Sequence, residues 1–537
     1  MSEPAMGLIY RMLASAIVLV TLAMDVWARE DGDKRKAQEG PSAIEFDSDL
    51  PWLNVSRPLT LSDLKGRVVI LDFWTYGCVN CIHVLADLRR LEHKFGDGLA
   101  VIGVHSPKFD NEKNLQTLRR IVVRYGIEHP VVNDVEFTLG KYYGMRAWPT
   151  QVVIDPQGGI LGYVTGEGHY ELLEETVEGL IETYEHEMNR APLPLALESE
   201  RVKETLLAAP GKVAASDRFV AISDTLHNRV IISDHDGNMV KVVGGPEAGY
   251  EDGDVETARF LSPQGLAFSS DGLLIADTGN HAIRRVHFPT WRVSTVAGRG
   301  EMEIPRFGEF DARSVGLRSP WGLALRGTEL FIAMAGNHQI WRLDLATQRI
   351  VSYAGSGREG ITDGVLARAT FSQPSGLSLI GDWLYVADAE ASAIRRIHLE
   401  KERVETVVGK GLFDFGDRDG DFDDVLLQHA LGVAALSPEM IMIADTYNHK
   451  LKLLDLGKRK VTTLAGTGSP GRSQGKGSES RMNEPGGVVM LDGKILIADT
   501  NNDRIVQFDL RSRRLTEWKL KGIVPVGGDH VSRTEKR

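Results

Sequence analysis

The sequence has little cysteine, no excess of basic charge and few long apolar runs. Only two cysteines occur among its 537 residues. The formal net charge is −12, and basic residues do not cluster with aromatic ones, which argues against nucleic acid as the main ligand. Apolar content of 42% and charged content of 25% are typical of soluble globular protein. A chain of this length is expected to form two or more domains.

One apolar segment, near the N-terminus, suggests targeting. Residues 12–24 are mostly apolar and follow Arg11, and the stretch is short for a membrane span but suits a signal peptide. Val26-Trp27-Ala28 resembles a small-residue cleavage site. We therefore expect residues 1–28 to be an export signal, with an uncleaved membrane anchor, or neither, as alternatives, and residues 29–44 to be a charged linker. Export would make the protein periplasmic or otherwise extracytoplasmic.

The two cysteines lie close together, as Cys78-Val79-Asn80-Cys81. Residues 68–77 predict a buried strand, and residues 82–95 predict an amphipathic helix. This places Cys78 at a helix N-terminus, where unpaired N–H groups and the helix dipole favour the thiolate. Cys78 can close internally only on Cys81, and so small a ring stabilises a fold weakly. The pair therefore predicts a redox-active dithiol rather than a structural disulfide.

Residues 45–190 alternate between strand and helix patterns, which predicts an α/β domain. The predicted strands after the first are 99–105, 130–132, 149–155 and 160–164, the last two being antiparallel. The predicted helices after the first are 111–125, 136–143 and 170–189.

Two motifs of this domain resemble the thioredoxin fold, in particular the branch that handles disulfides outside the cytoplasm. They are Asp72-Phe73-Trp74, which leads to the cysteines, and Ala147-Trp148-Pro149-Thr150, which precedes a strand. The resemblance implies that Cys78 attacks, Cys81 resolves and Asp72 moves the proton of Cys81. It also implies a cis-proline at Pro149, supporting roles for Trp74 and Trp148, and no cofactor beyond a reversible Cys78–Cys81 disulfide.

Four nearby residues affect how far the resemblance extends. Gly77 stands where the family often has tryptophan, and Asn80 stands where it usually has proline. These changes alter helix stiffness and local polarity, so the redox potential does not transfer from the family. His83 and His105 lie near the dithiol, and we expect a solvated helix histidine and a loop-capping histidine rather than residues that tune it.

Residues 206–520 repeat with a period near 55 residues, after a predicted linker at 191–205. The repeats are anchored at Asp224, Asp277, Met334, Asp388, Asp445 and Asp499. Several short strands per repeat, six repeats, and Pro-x-Gly turns upstream of the anchors predict an all-β, six-bladed propeller. Asn280-His281 and Asn448-His449-Lys450-Leu451 match the NHL motif, so the region is identified as a member of the NHL-repeat family.

The domain order resembles a known family in which a thioredoxin-like domain precedes an NHL propeller. Because only the tail 521–537 follows the propeller, we expect this chain to lack that family's further C-terminal β region. The repeated Asp, Thr, Asn and His residues are expected to lock the turns of each blade. Ser392 replaces His in one copy, so no uniform ring of metal ligands is expected. The acidic run 414–424 is expected to be a solvated loop, with a weak calcium site as the alternative.

Taken together, these features favour a thiol–disulfide oxidoreductase whose propeller face binds a protein client or redox partner. The alternative is a non-catalytic function, in which the protein is an interaction scaffold with a vestigial thioredoxin-like domain. A third and weaker hypothesis makes the propeller catalytic through a metal in its channel. No nucleic acid is expected as a partner, and a membrane is expected only if the N-terminal segment stays uncleaved.

Overall fold

A computed structural model describes residues 41–201, 204–303 and 308–526. The expected signal, residues 1–28, and most of the expected linker, residues 29–44, lie outside these ranges, as does most of the tail from residue 527 onward. Within the three described ranges, no helix has the length and apolar character needed to cross a membrane.

The first domain contains a six-stranded mixed sheet. Its strands are β1 (Trp52–Leu53), β2 (Val68–Trp74), β3 (Leu99–His105), β4 (Val131–Asn133), β5 (Thr150–Ile154) and β6 (Ile160–Thr165). Their order across the sheet is β1-β4-β3-β2-β5-β6, with β2, β3 and β4 parallel and β5 and β6 antiparallel. Every residue of the central strand β2 is buried, because helices cover both faces of the sheet. The thioredoxin-like α/β prediction is confirmed.

The helices of this domain are α1 (Leu61–Leu64), α2 (Val79–Phe95), α3 (Leu115–Arg124), α4 (Thr138–Tyr142) and α5 (Tyr170–Thr183). Two predicted helix boundaries are wrong by four residues or more, and the others differ by three or fewer. Helix α3 begins at Leu115 rather than at 111, because the Asn114 side chain caps it and residues 110–113 form a separate 3₁₀ turn. Helix α5 ends at Thr183 rather than at 189, where a 3₁₀ turn replaces its last predicted residues.

The second domain is a six-bladed propeller, as predicted. Blade 1 consists of β7 (Pro210–Ala215), β8 (Val220–Asp224), β9 (Arg229–Ser233) and β10 (Met239–Gly244). Blade 2 consists of β11 (Gly253–Asp254), β12 (Leu266–Ser269), β13 (Gly272–Asp277), β14 (Ala282–His287) and β15 (Arg292–Ala297). Blade 3 consists of β16 (Glu309–Asp311), β17 (Pro320–Arg326), β18 (Glu329–Met334), β19 (Gln339–Asp344) and β20 (Arg349–Ala354).

The remaining blades repeat this arrangement. Blade 4 consists of β21 (Gly364–Val365), β22 (Pro374–Ile380), β23 (Trp383–Asp388), β24 (Ala393–His398) and β25 (Arg403–Val408). Blade 5 consists of β26 (Gly420–Asp421), β27 (Gly432–Ser437), β28 (Met440–Asp445), β29 (Lys450–Asp455) and β30 (Lys460–Ala465). Blade 6 consists of β31 (Gly475–Lys476), β32 (Pro485–Leu491), β33 (Lys494–Asp499), β34 (Arg504–Asp509) and β35 (Arg514–Glu517).

The Pro-x-Gly segments are not turns in blades 3, 4 and 6, where they begin the innermost strands β17, β22 and β32. Their glycines lie where neighbouring blades approach most closely around the axis. A Cβ at Gly322 would lie 2.9 Å from the carbonyl oxygen of Ser375, in the next blade. Glycine is therefore needed for contact between blades rather than for chain reversal.

The residue four positions after each anchor links its blade to the next. The Nδ1 atom of His281 accepts a hydrogen bond from the backbone N–H of Ser319, at 3.1 Å, and Ser392 Oγ accepts one from the N–H of His429. Equivalent bonds are made by Asn228, His338, His449 and Asp503. The expectation that these side chains only lock their own turns is therefore incomplete, because they also join adjacent blades.

The acidic run 414–424 is held by basic residues of blade 5. Asp417 forms ion pairs with Lys450 and with the buried Lys452, the latter at 3.0 Å. Lys452 also contacts Asp419, at 3.3 Å. Across the described ranges, no group of three or more His, Cys, Asp or Glu side chains is placed to hold a metal ion.

Candidate functional site

The dithiol lies at the start of helix α2, where the sequence places it. Cys78 is the N-cap residue, and its Sγ accepts a hydrogen bond from the Cys81 backbone N–H at 3.4 Å. Both thiols are free, with Cys78 partly exposed and Cys81 fully buried. Burial raises the pKa of the Cys81 thiol well above its usual range. The hydrogen bond and the charge interaction with Cys78 raise this pKa further. Cys81 therefore keeps its proton while Cys78 is the sulfur within reach of a partner.

Asp72 lies in the middle of β2, close enough for its charge to act on Cys81. It is fully buried, and its Oδ1 accepts a hydrogen bond from Gln151 Nε2 at 2.7 Å. Burial raises the pKa of Asp72 to about 6, although the Gln151 hydrogen bond opposes this. A carboxyl with this pKa can accept and release a proton near neutral pH.

The supporting residues predicted from the resemblance join the same cluster. The Trp148–Pro149 peptide bond is cis. The indole Nε1 of Trp148 donates to the carbonyl oxygen of Ser106 at 2.9 Å. Trp74 is fully buried and packs with Cys81, with Cys78 and Trp148 at the edge of that cluster. The structure thus brings the predicted site residues together.

The propeller covers the dithiol loop. This contact between the two domains was not predicted from the sequence. The carboxamide of Gln373, just before β22, bonds to the backbone on both sides of Cys78. Its Oε1 accepts from the Val79 N–H at 2.7 Å, and its Nε2 donates to the Gly77 carbonyl oxygen at 2.6 Å. The loop that carries the attacking sulfur is therefore fixed by a residue about 300 positions away.

A buried glutamate fixes the same loop from within the first domain. Both oxygens of Glu112 accept hydrogen bonds, from Thr75 Oγ1 at 2.5 Å and from the N–H groups of Gly77, Lys108 and Phe109 at 2.7–3.0 Å. Burial raises the pKa of Glu112, and the four hydrogen bonds oppose that rise. A Cβ at Gly77 would lie 2.8 Å from Glu112 Oε1, so the tight loop explains why tryptophan is absent there.

A second contact between the domains lies beside the dithiol loop. Lys108 and Glu390 form a buried ion pair at 2.6 Å, with side chains 5% and 8% exposed. The ring of Phe109, which is fully buried, packs against three rings of blade 5 at 4.7–5.4 Å, namely Phe415, His429 and Tyr447. Aromatic packing favours this interface, and removing one partner of the buried Lys108–Glu390 pair would leave the other buried without compensation.

A third contact involves Glu484, just before β32. Its Oε1 accepts hydrogen bonds from Tyr76 OH at 3.1 Å and from Asn111 Nδ2 at 2.6 Å. Helix α3 adds a hydrogen bond from Arg124 to Asn501 of blade 6. Through these three contacts the first domain rests on blades 4, 5 and 6.

A signal in the sequence could have revealed this interface. The residue between the Asp-Thr pair and the Asn-His pair varies among the repeats, as Leu226, Gly279, Gly336, Glu390, Tyr447 and Asn501. The last four contact the first domain, and a Cβ at Gly336 would lie 2.9 Å from the His83 ring. This position, the most varied of the motif, lies on the surface that the dithiol domain covers in blades 3 to 6.

The expectation of a solvated His83 is wrong, because its side chain is buried between the domains. Its Nδ1 lies 2.5 Å from Glu167 Oε2, and its Nε2 lies 2.7 Å from Ser319 Oγ. This order of carboxylate, imidazole and hydroxyl resembles a serine hydrolase triad. However, Ser319 is 5% exposed and its N–H donates to His281, so the serine offers neither access nor a free oxyanion donor.

His105 is also buried rather than a loop cap. Its Nδ1 lies 2.9 Å from Asn133 Oδ1, and its ring stacks on Tyr76 at 5.6 Å. Burial lowers its pKa to about 4, so the ring is neutral at physiological pH. His105 therefore supports Tyr76, which in turn contacts the propeller residue Glu484.

Comparisons with known proteins agree with this architecture. Residues 66–160 match a family model described as thioredoxin-like. Human NHL repeat-containing protein 2 is 38% identical over 526 residues, which cover 90% of this chain and 72% of that protein. The chain belongs to the NHL repeat-containing protein 2 family. The chicken member of that family is 38% identical over 512 residues, covering 88% of this chain and 70% of that protein.

Two further relatives extend the comparison. The Arabidopsis thaliana protein SUPPRESSOR OF QUENCHING 1, chloroplastic, is 40% identical over 527 residues, which are 92% of this chain. The chain spans 49% of the length of that protein. The thiol-disulfide oxidoreductase ResA of Halalkalibacterium halodurans is 29% identical over 170 residues, covering 31% of this chain and 92% of ResA.

Proposed function

We propose that this protein is a thiol–disulfide oxidoreductase with Cys78 and Cys81 as its redox pair. The observation that carries the proposal is the unequal environment of the two sulfurs: Cys78 is partly exposed at a helix N-terminus, and Cys81 is buried close to Asp72. Such a pair suits one sulfur that attacks and one that resolves. The similarity to ResA supports the same reaction class.

In the reducing direction, the Cys78 thiolate attacks a partner disulfide and releases the first partner thiolate. Cys81 then attacks Cys78 in the mixed disulfide and gives its proton to Asp72. The second partner thiolate leaves, and the protein retains a Cys78–Cys81 disulfide that a donor must reduce by two electrons. The oxidising direction runs the same steps in reverse.

The propeller, in this proposal, helps to select the protein client or redox partner. Because Gln373 and Tyr447 lie against the dithiol loop, a partner disulfide has to approach Cys78 beside the propeller. A narrow, extended disulfide-bearing segment fits this approach better than a folded surface does. Recognition would then combine the dithiol loop with the neighbouring propeller loops.

The test compares reduction of insulin and of a small disulfide reporter by wild type, Cys78→Ser and Cys81→Ser. Wild type should turn over at least one substrate, and Cys78→Ser should be inactive. Cys81→Ser should accumulate a mixed disulfide through Cys78. Equal activity in wild type and Cys78→Ser would overturn the proposal.

The covered dithiol loop also favours a second candidate, an interaction scaffold with a vestigial dithiol. In that case Gln373, Glu112 and the Lys108–Glu390 pair would serve only to join the domains. The Cys81→Ser variant separates the candidates, because a scaffold captures no partner covalently through Cys78.

The N-terminal sequence supports export as part of the same proposal. Residues 12–24 suit a signal peptide, with a membrane anchor as the alternative. Fusing residues 1–44 to a reporter that is active only outside the cytoplasm tests export, and the mass of the mature chain tests cleavage. An inactive reporter would argue against export.

A further inference from the structure

Three buried polar atoms lie on one face of the sheet beneath the dithiol. They are Asp72 Oδ2, Trp74 Nε1 and His129 Nε2, and within the described ranges none has a hydrogen-bond partner. Asp72 and Trp74 are fully buried, and His129 is 5% exposed. Buried polar atoms are normally paired, so three together mark a site with a polar function.

Gly103 leaves the space between these atoms open. It is the partner of Asp72 in the parallel register of β2 and β3, so a side chain at 103 would point to the same face. A Cβ there would lie 3.0 Å from Trp74 Nε1 and 3.3 Å from His129 Nε2. The charge of His129 also acts on Asp72 across this space, where it opposes the effect of burial on the pKa of Asp72.

The other ring nitrogen of His129 leads toward solvent. Its Nδ1 lies 3.3 Å from Glu92 Oε2, and the Glu92 side chain is 28% exposed. Both residues line a cavity of about 300 Å³ on the side of helix α2 away from its N-terminus, together with Arg67, Arg89 and the exposed His93. His129 thus connects the buried carboxyl with a solvent-reaching cavity.

The covered dithiol face makes such a connection useful. Gln373 closes the loop around Cys78, and Tyr447 packs into the cluster that contains Trp74 and Cys81. On the side of the dithiol, the propeller and buried side chains therefore separate a proton on Asp72 from solvent. The cavity beside Glu92 lies on the opposite side.

We propose that His129 is the relay that carries the resolving-step proton from Asp72 to Glu92 and the cavity. The proposal rests on the proposed function. When Cys81 attacks the mixed disulfide, its S–H bond breaks, the new Cys78–Cys81 bond forms, and the partner leaves as a thiolate. The proton passes from Asp72 to His129 Nε2 through one bridging water in the space beside Gly103, because the two atoms are not hydrogen-bonded to each other. His129 then releases its Nδ1 proton to Glu92. His129 acts through Asp72 and does not touch the sulfurs.

The pH dependence of this step depends on all charges near His129. Asp72 faces it from β2, and Glu92 and Arg89 face it from α2. Arg67, Asp97 and Glu128 line the same cavity, and the linker contributes the apolar residues 192, 193 and 195. Replacing His129 also removes its charge from beside Asp72, so the pH profile is read together with the buffer dependence and the imidazole rescue, which only a relay produces.

The test measures release of glutathione from reduced full-length protein mixed with glutathione disulfide in a single turnover. The first glutathione reports attack by Cys78, and the second reports resolution by Cys81. For His129→Gln, we expect unchanged attack and a resolution rate about tenfold lower at neutral pH. This is less than the roughly 10²–10⁴-fold of a direct acid or base, because His129 acts through Asp72. The slow rate should rise with buffer concentration, whereas the wild-type rate should not.

Two variants and a control make the outcome decisive. Imidazole should restore resolution in His129→Ala, because the adjacent cavity can admit it, and Gly103→Ala should slow resolution while His129 is intact. His93→Gln, which removes an exposed histidine of the same cavity, should match wild type. If His129→Gln resolves at the wild-type rate and independently of buffer, the relay is wrong. If wild type releases no glutathione, the proposed function fails as well.

Discussion

Gly77 and Tyr447 face each other across the contact between the dithiol loop and the propeller. A Cβ at position 77 would lie 3.2 Å from the Tyr447 hydroxyl and 2.8 Å from Glu112 Oε1, which four hydrogen bonds hold in place. Both contacts exclude the tryptophan that the family often has at position 77. Its absence follows from the packing of Glu112 within the first domain and of Tyr447 from the propeller.

The first prediction concerns Gly77→Ala. Since neither Tyr447 nor Glu112 can withdraw freely, the added methyl should destabilise the protein by about 1–3 kcal/mol. Thermal unfolding and the alkylation rate of Cys78 measure the effect. Gly179→Ala is the control, because a Cβ at Gly179, in helix α5, meets nothing within 4 Å. Equal unfolding temperatures for the two variants would contradict the packing at Gly77.

The second prediction concerns Gln373→Ala, which removes both hydrogen bonds to the dithiol loop. The buried Val79 N–H and Gly77 carbonyl would lose their partner, at a cost of roughly 1–3 kcal/mol. Looser contact should expose Cys78 and raise its alkylation rate about tenfold, the change that 1.4 kcal/mol would produce. Gln157→Ala, in an exposed turn, should leave that rate unchanged. A rate equal to wild type in Gln373→Ala would show that the bonds do not restrict access.

The third prediction separates a buried ion pair from an exposed one. Lys108→Ala leaves Glu390 buried with only His429 Nδ1 nearby, at 3.5 Å, and burial already raises the pKa of Glu390 to about 7. The substitution should therefore cost about 3–5 kcal/mol at pH 8, where the wild-type carboxyl is ionised. Lys113→Ala removes a pair with Asp110 whose side chains are 51% and 70% exposed, and should cost about 0–1 kcal/mol. Denaturant unfolding of both variants measures the difference. Similar costs would mean that the Lys108–Glu390 pair is hydrated in solution.

The fourth prediction concerns pH and Asp72→Asn. Folding raises the pKa of Asp72 from 3.8 to about 6. The stability that this group contributes is fully present below pH 3.8 and is lost as pH rises through 6. Asparagine removes this dependence, so the variant should gain up to about 3 kcal/mol over wild type as pH rises from 4 to 7.

The measurement is the unfolding free energy of wild type and Asp72→Asn across that pH range. Asp47→Asn, at an exposed position outside the sheet, serves as the control and should show no such gain. A difference between Asp72→Asn and wild type that stays constant with pH would show that Asp72 is not a buried carboxyl. The same Asp72→Asn variant should also slow resolution by Cys81.

Much of the fold was predictable because it depends on local pattern. The buried strand before Cys78 and the amphipathic helix after it have clear apolar periodicity, and the six anchors repeat at nearly equal spacing. The helix ends at Leu115 and Thr183 were less predictable, since short capping interactions decide them.

The interface was not predicted, because its contacts join distant parts of the chain. Nothing local in the sequence shows that Gln373 bonds beside Cys78, or that His83 meets Glu167 and Ser319. A histidine two residues after a cysteine on a helix gives the same local pattern whether water or a second domain covers it. The varying position within the blade motif was the available signal.

The most direct test of the central claim is a redox titration of Cys78 and Cys81 in the full chain. Protein equilibrated in glutathione buffers of graded potential is alkylated and its mass measured. The account predicts one reversible two-electron transition. Both sulfurs are alkylated in reducing buffers and neither is alkylated in oxidising ones. Cys78→Ser should lose this transition. A pair that stays fully alkylated at every potential, or a disulfide that mild reductant never opens, would contradict it.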